Sequence, residues 1–167
     1  TKMGKTIVVY GSSTGTCEAI AEKIAEKVGA KAINVTDLND AVLAENDNLL
    51  IGTSTWGAGE LQDDWYDGVD LLKGASLAGK VVAVYGCGDS ASYSDTFCSA
   101  MKELYDAAKA GGATLVGEVE IDGYTFDDSD AVVDNKFVGL ALDDINEDDR
   151  TESRIDAWLE QIKGSLK

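Results

Sequence analysis

Proline and histidine are both missing from this chain of 167 residues. Without proline no linker announces a domain boundary, and the whole length, 1–167, is expected to form one domain with a real core. Without histidine, Ser-His and Cys-His nucleophilic machinery is excluded, together with the commonest transition-metal ligand. Cysteine is scarce: Cys17, Cys87 and Cys98 form an odd set with no C-x-x-C pair, which suggests neither a disulfide framework nor a zinc site. Basic residues are also few, 14 against 31 acidic ones, for a net charge of −17 and a pI of about 4.1. A polyanion of this kind is repelled by nucleic acid and by anionic membranes, so both are set aside as partners. No apolar run approaches the ~20 residues of a membrane helix. Thr1–Gly4 shows no charged region leading into a hydrophobic signal core, and the cytoplasm is the expected compartment. Chemistry, if the chain performs any, is left to a bound cofactor.

Apolar runs and helical patterns alternate along the chain. Lys5–Tyr10 reads as a buried parallel strand, and Ile20, Ile24 and Val28 mark the helix that follows. Further strands are expected at Lys31–Val35, Asn48–Thr53, Lys80–Gly86 and Ala113–Gly117, with helices at Gln62–Leu72 and Thr96–Ala110. In the last helix Ile155, Trp158, Leu159 and Ile162 form one stripe, preceded by Asp149-x-x-Glu152 as a candidate capping box. The acidic stretch from Glu118 to Asn135 fits neither period. It reads as an insertion within or beside the last strand, resuming at Lys136–Leu140. Repeated β-then-α units predict a doubly wound α/β fold, a parallel sheet with helices on both faces. Such sheets bind ligands at the carboxyl ends of their strands, where the strand order reverses. The loops after the first, third and fourth strands are therefore the candidate site.

The first loop, Gly11-Ser12-Ser13-Thr14-Gly15-Thr16-Cys17, is built of small residues and hydroxyls. Its backbone N–H groups and the helix N-terminus, with about half a positive charge, suit a phosphate held by neutral donors. It is not a Walker loop, because the Gly-Lys-Ser/Thr ending is missing; the plainer reading is a helix-capping turn. The second, Thr53-Ser54-Thr55-Trp56-Gly57-Ala58-Gly59, carries a tryptophan among glycines with no strand or helix to bury it. The third runs from Gly86 through Cys87, Gly88 and Asp89 to Tyr93 and Asp95. Two aromatics on neighbouring loops beside a phosphate loop suit a sandwich around a planar ring; a core tryptophan and a commonplace surface tyrosine are the alternatives. Gly86-Cys87-Gly88-Asp89-Ser90-Ala91 formally matches a dinucleotide fingerprint, but the next helix starts only near Thr96, which argues against that reading.

Taken together, these segments resemble the flavodoxin family, and specifically its long-chain branch. The likeness rests on Ser12–Cys17, on Thr55-Trp56-Gly57-Ala58-Gly59-Glu60-Leu61-Gln62-Asp63-Asp64-Trp65, on Gly86–Tyr93, and on Asp122-Gly123-Tyr124 with Asn135–Asp143. It covers nearly the whole chain in order. The resemblance implies a five-stranded parallel sheet in the order 2-1-3-4-5 with an insertion in the last strand, and non-covalently bound FMN. It implies that Ser12, Ser13, Thr14, Gly15 and Thr16 hold the phosphate. Trp56 and Tyr93 would flank the flavin ring, and Gly88 and Asp89 would lie near its pyrimidine edge. Cys17, Thr53, Ser54, Thr55, Gly57, Ala58, Gly59, Cys87 and Asp95 complete the expected cofactor-binding set. Cys17 departs from the family pattern, which has Thr there; a thiol is a weak donor, so a hydrogen bond is lost while the backbone one remains.

The same resemblance implies a low-potential, single-electron carrier that is not an enzyme, cycling chiefly between semiquinone and hydroquinone. A flip of the Gly57–Ala58 peptide would favour the first reduced form, and acids such as Glu60, Asp63, Asp64, Asp67, Asp89 and Asp95 would oppose the second electron. The expected partners are redox proteins with basic docking faces, of the ferredoxin/flavodoxin–NADP reductase type, met by a monomer. A quinone or NAD(P)H reductase on the same fold is the second reading. A receiver-type signalling module is disfavoured, because Tyr10-Gly11 and Gly52-Thr53 offer no acidic cluster or phosphoacceptor.

Overall fold

The computed structural model describes residues 5–11, 15–56, 60–61, 64–91, 94–143 and 146–166, with the backbone alone at 55, 56, 60 and 61. In chain order the elements are β1 (Thr6–Gly11), α1 (Thr16–Val28), β2 (Lys31–Asn34), α2 (Asp40–Glu45), β3 (Asn48–Trp56) and β4 (Glu60–Leu61). Then follow α3 (Trp65–Gly74), β5 (Val81–Cys87), α4 (Met101–Ala110), β6 (Thr114–Val116), β7 (Val119–Glu120) and β8 (Val132–Val133). The chain closes with β9 (Lys136–Phe137), β10 (Leu140–Leu142) and α5 (Asp148–Ile162). Single 3-10 turns occupy Val35–Asp37 and Ser94–Thr96.

The sheet runs β10-β5-β3-β1-β2, all parallel, with β6 also pairing β5. That is the expected order, and the fifth strand is split: β6 pairs Val81–Ala83 and β10 pairs Tyr85–Cys87. The insertion between the halves folds into a small antiparallel sheet, β7-β9-β8. Strand alternation sorts the core onto two faces. Ile7, Val9, Leu49, Ile51, Val82 and Val84 pack with Leu43 of α2, Trp65 and Leu72 of α3, and Leu104 of α4. Val8, Leu50, Ala83 and Tyr85 pack with Ile20 and Ile24 of α1 and Ile155, Trp158 and Ile162 of α5. Every residue of β5 is buried, as a central parallel strand covered on both faces requires.

Several boundaries differ from the sequence expectation, each for a local reason. Described helix α3 runs Trp65–Gly74 rather than Gln62–Leu72; Gln62 and Asp63 lie outside the described residues. Helix α4 starts at Met101 rather than Thr96, because Cys98 sits at φ 53, a left-handed conformation that breaks a helix. The strand-like run 136–140 is two strands: Lys136–Phe137 joins the small sheet and Leu140–Leu142 the large one. Gly139 at the switch lies so near β5 that a Cβ there would meet Val84 O at 2.0 Å. The capping box at Asp149 is absent: the helix already includes Asp148, and its cap, Glu147, makes no side-chain cap bond. Helix α2, with six residues, was too short to show a period.

Candidate cofactor site

Strands β1, β3 and β5 all end at one edge of the sheet, and their register aligns the three loops there. Gly11 pairs with Thr53, Thr53 with Gly86, and Ser54 with Cys87, which in turn pairs with Leu142. Ser12, Ser13, Thr14, Gly57, Ala58, Gly59 and Tyr93 lie outside the described residues, and Thr55 and Trp56 are described by their backbone alone.

At the end of β1, Gly15 adopts φ 88 and opens α1 with no side-chain cap. This left-handed turn favours glycine. A Cβ on it would meet nothing within 4 Å, so its place there answers to backbone conformation rather than crowding. The first intrahelical bond runs from Ala19 N–H to Gly15 O at 3.0 Å. The first-turn N–H groups of Thr16, Cys17 and Glu18 precede that bond and point out along the helix axis. Thr16 is half-buried, whereas Cys17 is fully buried among Val8, Ile20, Tyr85 and Cys87. The Cys17 thiol thus faces the core, and its backbone alone faces the loop.

Strand β3 does not stop at Thr53 but continues through Trp56, and Thr55 and Trp56 pair antiparallel with Leu61 and Glu60. The tryptophan therefore stands at the tip of a strand rather than in an open loop, since the Thr-Ser-Thr-Trp run is β-branched and aromatic enough to extend the ladder. Thr53 is buried, and its hydroxyl donates to Ser54 O at 2.9 Å. Beneath this edge Gly52 leaves room for the Tyr85 ring, which a Cβ would strike at 2.1 Å. Tyr85 O–H crosses the sheet to donate to Val9 O at 3.0 Å. Burial pushes its phenol far above the ordinary range, and the Cys17 and Cys87 thiols beside it add to the shift.

The loop after β5 is held from several sides. Cys87 is buried in the same cluster as Cys17. Gly88 N–H donates to Leu142 O at 2.9 Å, continuing the pairing with β10. Behind Gly88 lie Phe97 and Cys98; a Cβ there would meet both at 3.0 Å. The Cys98 thiol is raised well above its usual range by burial and then by Cys87, which keeps it protonated and inert. Asp89 accepts from Ala91 N–H at 3.1 Å and from the Asn146 amide at 2.8 Å. Asp95, in the 3-10 turn, is exposed. The dinucleotide reading of Gly86–Ala91 fails here, since no helix opens directly after the glycines.

The sequence reading assigned no role to Ser90, Asp143 or Asn146. Asp143, though fully buried, accepts from Ser90 and Asn146 and sits at the end of β10. Asn146 lies three residues on, but Ser90 is 53 residues away, too far for any local spacing to reveal the cluster.

No group of three or more Cys, Asp or Glu among the described residues is arranged to hold a metal ion. No described helix is long and apolar enough to cross a membrane. What the edge offers is the first-turn N–H donors of α1, a tryptophan at the tip of β3 and a glycine-bearing loop after β5. Those donors fit an anionic group such as a phosphate.

The family model described as flavodoxin matches residues 8–158. Flavodoxin 1 of Azotobacter vinelandii is 42% identical over 164 residues, covering 94% of each chain. The flavodoxin of Helicobacter pylori is 40% identical over 165 residues, covering 98% of this chain and 99% of its own. The structure of Fusobacterium nucleatum flavodoxin bound to flavin mononucleotide matches with a TM-score of 0.92 at 29% identity, covering 99% of this chain and 100% of that one. The parallel sheet and its strand order agree with a match that spans nearly the whole sequence, and the chain belongs to the flavodoxin family.

Proposed function

We propose that this chain is a single-domain electron carrier that holds FMN non-covalently at the carboxyl edge of β1, β3 and β5. As a flavodoxin it is an electron-transfer protein rather than an enzyme. The observation that carries the reading is the alignment of the ends of β1, β3 and β5 at one edge of the sheet, with Gly15 at φ 88 opening α1 so that its first N–H groups are left without intrahelical partners. When bound, FMN supplies electron transfer in single steps.

The chain's own residues set the conditions. Ser12, Ser13, Thr14, Gly15 and Thr16, with the Cys17 backbone, hold the phosphate through N–H and O–H donors; no lysine or arginine lies between Lys5 and Lys23. Trp56 and Tyr93 cover the ring faces, and Thr53, Ser54, Thr55, Gly57, Ala58 and Gly59 shape the second loop. Cys87, Gly88, Asp89 and Asp95 line the third. Carboxylates around the edge oppose the build-up of negative charge there, which keeps the carrier strongly reducing. With a net charge of −17, the protein meets basic faces on its redox partners, and it does so as a monomer.

Stepwise anaerobic reduction of the purified protein tests this. Flavin absorbance that gives way to a separate long-wavelength band before bleaching supports single-electron steps; direct bleaching in one two-electron step refutes them. Electron transfer to a basic partner slows as ionic strength rises, and a flat salt response would remove the electrostatic docking.

A further inference from the structure

Asp143 follows β10 and is fully buried, an uncommon place for a carboxylate unless it is paired or well hydrogen-bonded. Among the described residues its carboxylate accepts from two. Ser90 donates through its backbone N–H at 3.3 Å and through its hydroxyl to the same oxygen, Oδ2. Asn146 donates through its backbone N–H at 3.1 Å to Oδ1, and through its amide to both oxygens at 3.0 and 3.1 Å. The same amide reaches Asp89 Oδ1 at 2.8 Å. The Asp143 carbonyl meanwhile accepts from Glu147 N–H at 2.8 Å, fixing the turn that leads into α5.

A buried charge of this sort is costly to strand, because each donor it loses leaves part of the charge unsolvated. The carboxylate therefore pins the third loop at Ser90 while Asn146 pins it at Asp89, one residue earlier. Gly88 N–H on Leu142 O adds a backbone tie to the same strand end. Three consecutive loop residues are thus fixed to the β10–α5 junction.

We propose that Asp143, acting through Ser90 and Asn146, is a positioning residue for the third cofactor loop, setting where Gly88 and Asp89 stand against the flavin. The proposal rests on the FMN reading above. Neither Asp143 nor Asn146 belongs to the expected cofactor-binding set; they act on the ring through the loop.

The test compares the unaltered chain with Ser90→Ala, Asn146→Ala and Asp143→Asn, each titrated with FMN as apoprotein. Visible-region circular dichroism of the bound flavin and urea unfolding of each apoprotein accompany the titrations. Ser90→Ala and Asn146→Ala remove one side of the bracket at partly exposed positions, and they remain informative if Asp143→Asn does not fold. The expected result is a loss of about tenfold in FMN affinity for Asn146→Ala. An altered flavin dichroism, with apoprotein stability changed far less, accompanies it. Asn146→Asp, which keeps an oxygen but cannot donate to two carboxylates, gives no rescue, whereas Asn146→Gln restores part of the affinity. Variants that bind FMN with unchanged affinity and dichroism overturn the proposal while leaving the cofactor reading intact. So does an affinity loss that merely tracks apoprotein stability. If the unaltered chain takes up no FMN, the cofactor reading falls and the positioning role with it.

Discussion

The two halves of the fifth strand make the same kind of pairing with β5 and live under different conditions. Both contribute three residues, β6 beside Val81–Ala83 and β10 beside Tyr85–Cys87. In β6, Thr114 is exposed and Leu115 and Val116 are half-buried; in β10 all three residues are buried. The difference comes from the insertion. It leaves the sheet after β6, builds the small sheet, and returns over the outside of β10. Tyr124 O–H caps Ala141 O at 2.7 Å, and Arg154 lies 3.9 Å over the Tyr124 ring. Phe97, Phe126 and Phe137 close around the same tyrosine or one another at 4.9–6.2 Å. An edge strand exposes unpaired backbone and is a hazard unless covered. Here the half that lies next to the cofactor loops is the covered half, and the half at the far end is left as an ordinary edge.

The sharpest way to break this contrast is at the switch point. A Cβ on Gly139 would meet Val84 O at 2.0 Å and Val84 C at 2.7 Å, both backbone atoms of a central strand that has no room to retreat. Gly139→Ala should therefore destabilise the protein by at least ~4 kcal/mol, in the range reserved for severe overpacking. Urea denaturation measures it, and a loss under ~1 kcal/mol would mean that β10 is free to move off β5. The second test trims one leucine from each half. Leu142 is fully buried, and Leu142→Ala should cost about 3 kcal/mol; Leu115→Ala, starting half-exposed, should cost about 1 kcal/mol. Equal losses would erase the distinction between the halves.

Much of this architecture was legible in the sequence, and the exceptions follow a rule. Strands β1, β3 and β5 announce themselves because they are covered on both faces and so read as unbroken β-branched runs. Helix α1 is legible from Ile20 and Ile24, and α5 from Ile155, Trp158 and Ile162. The parallel, doubly wound sheet followed from repeated β-then-α units, its strand order from the family resemblance, and the insertion from its lack of period. What the sequence did not reveal was set by tertiary contact. A three-residue strand such as β10 shows no alternation, and Gly139 marks the switch only because Val84 lies against it. Trp56 was read as a loop residue because the glycines after it hid the hairpin with β4. The candidate loops were all found from their composition. Their supports were not, because the bonds from Asp143 to Ser90 and from Asn146 to Asp89 join residues 53 and 57 positions apart.

The smallest of the expected effects isolates the cap on β10. Tyr124→Phe keeps the ring that Arg154 stacks on and the contacts with Phe97 and Phe137, and removes the hydroxyl that Ala141 O accepts from. The loss at neutral pH should be about 1 kcal/mol. Its pH dependence distinguishes a buried cap from a surface bond. Burial raises the Tyr124 phenol above its ordinary value, with Arg154 pulling the other way. Above pH ~10 the unfolded chain releases this proton while the folded protein keeps it. The native state then binds more protons than the unfolded one, so this group's contribution to stability declines by up to ~1.4 kcal/mol per pH unit. Phenylalanine has no proton to release, and Tyr85, whose phenol is raised as well, is common to both proteins and cancels. The stability gap between the parent and Tyr124→Phe should therefore be constant from pH 7 to about 9 and shrink above about 10. Urea midpoints across that range decide it. A gap that stays constant through pH 10.5 would show that Tyr124 ionises alike in both states, and so that the insertion does not shield the outer edge of β10.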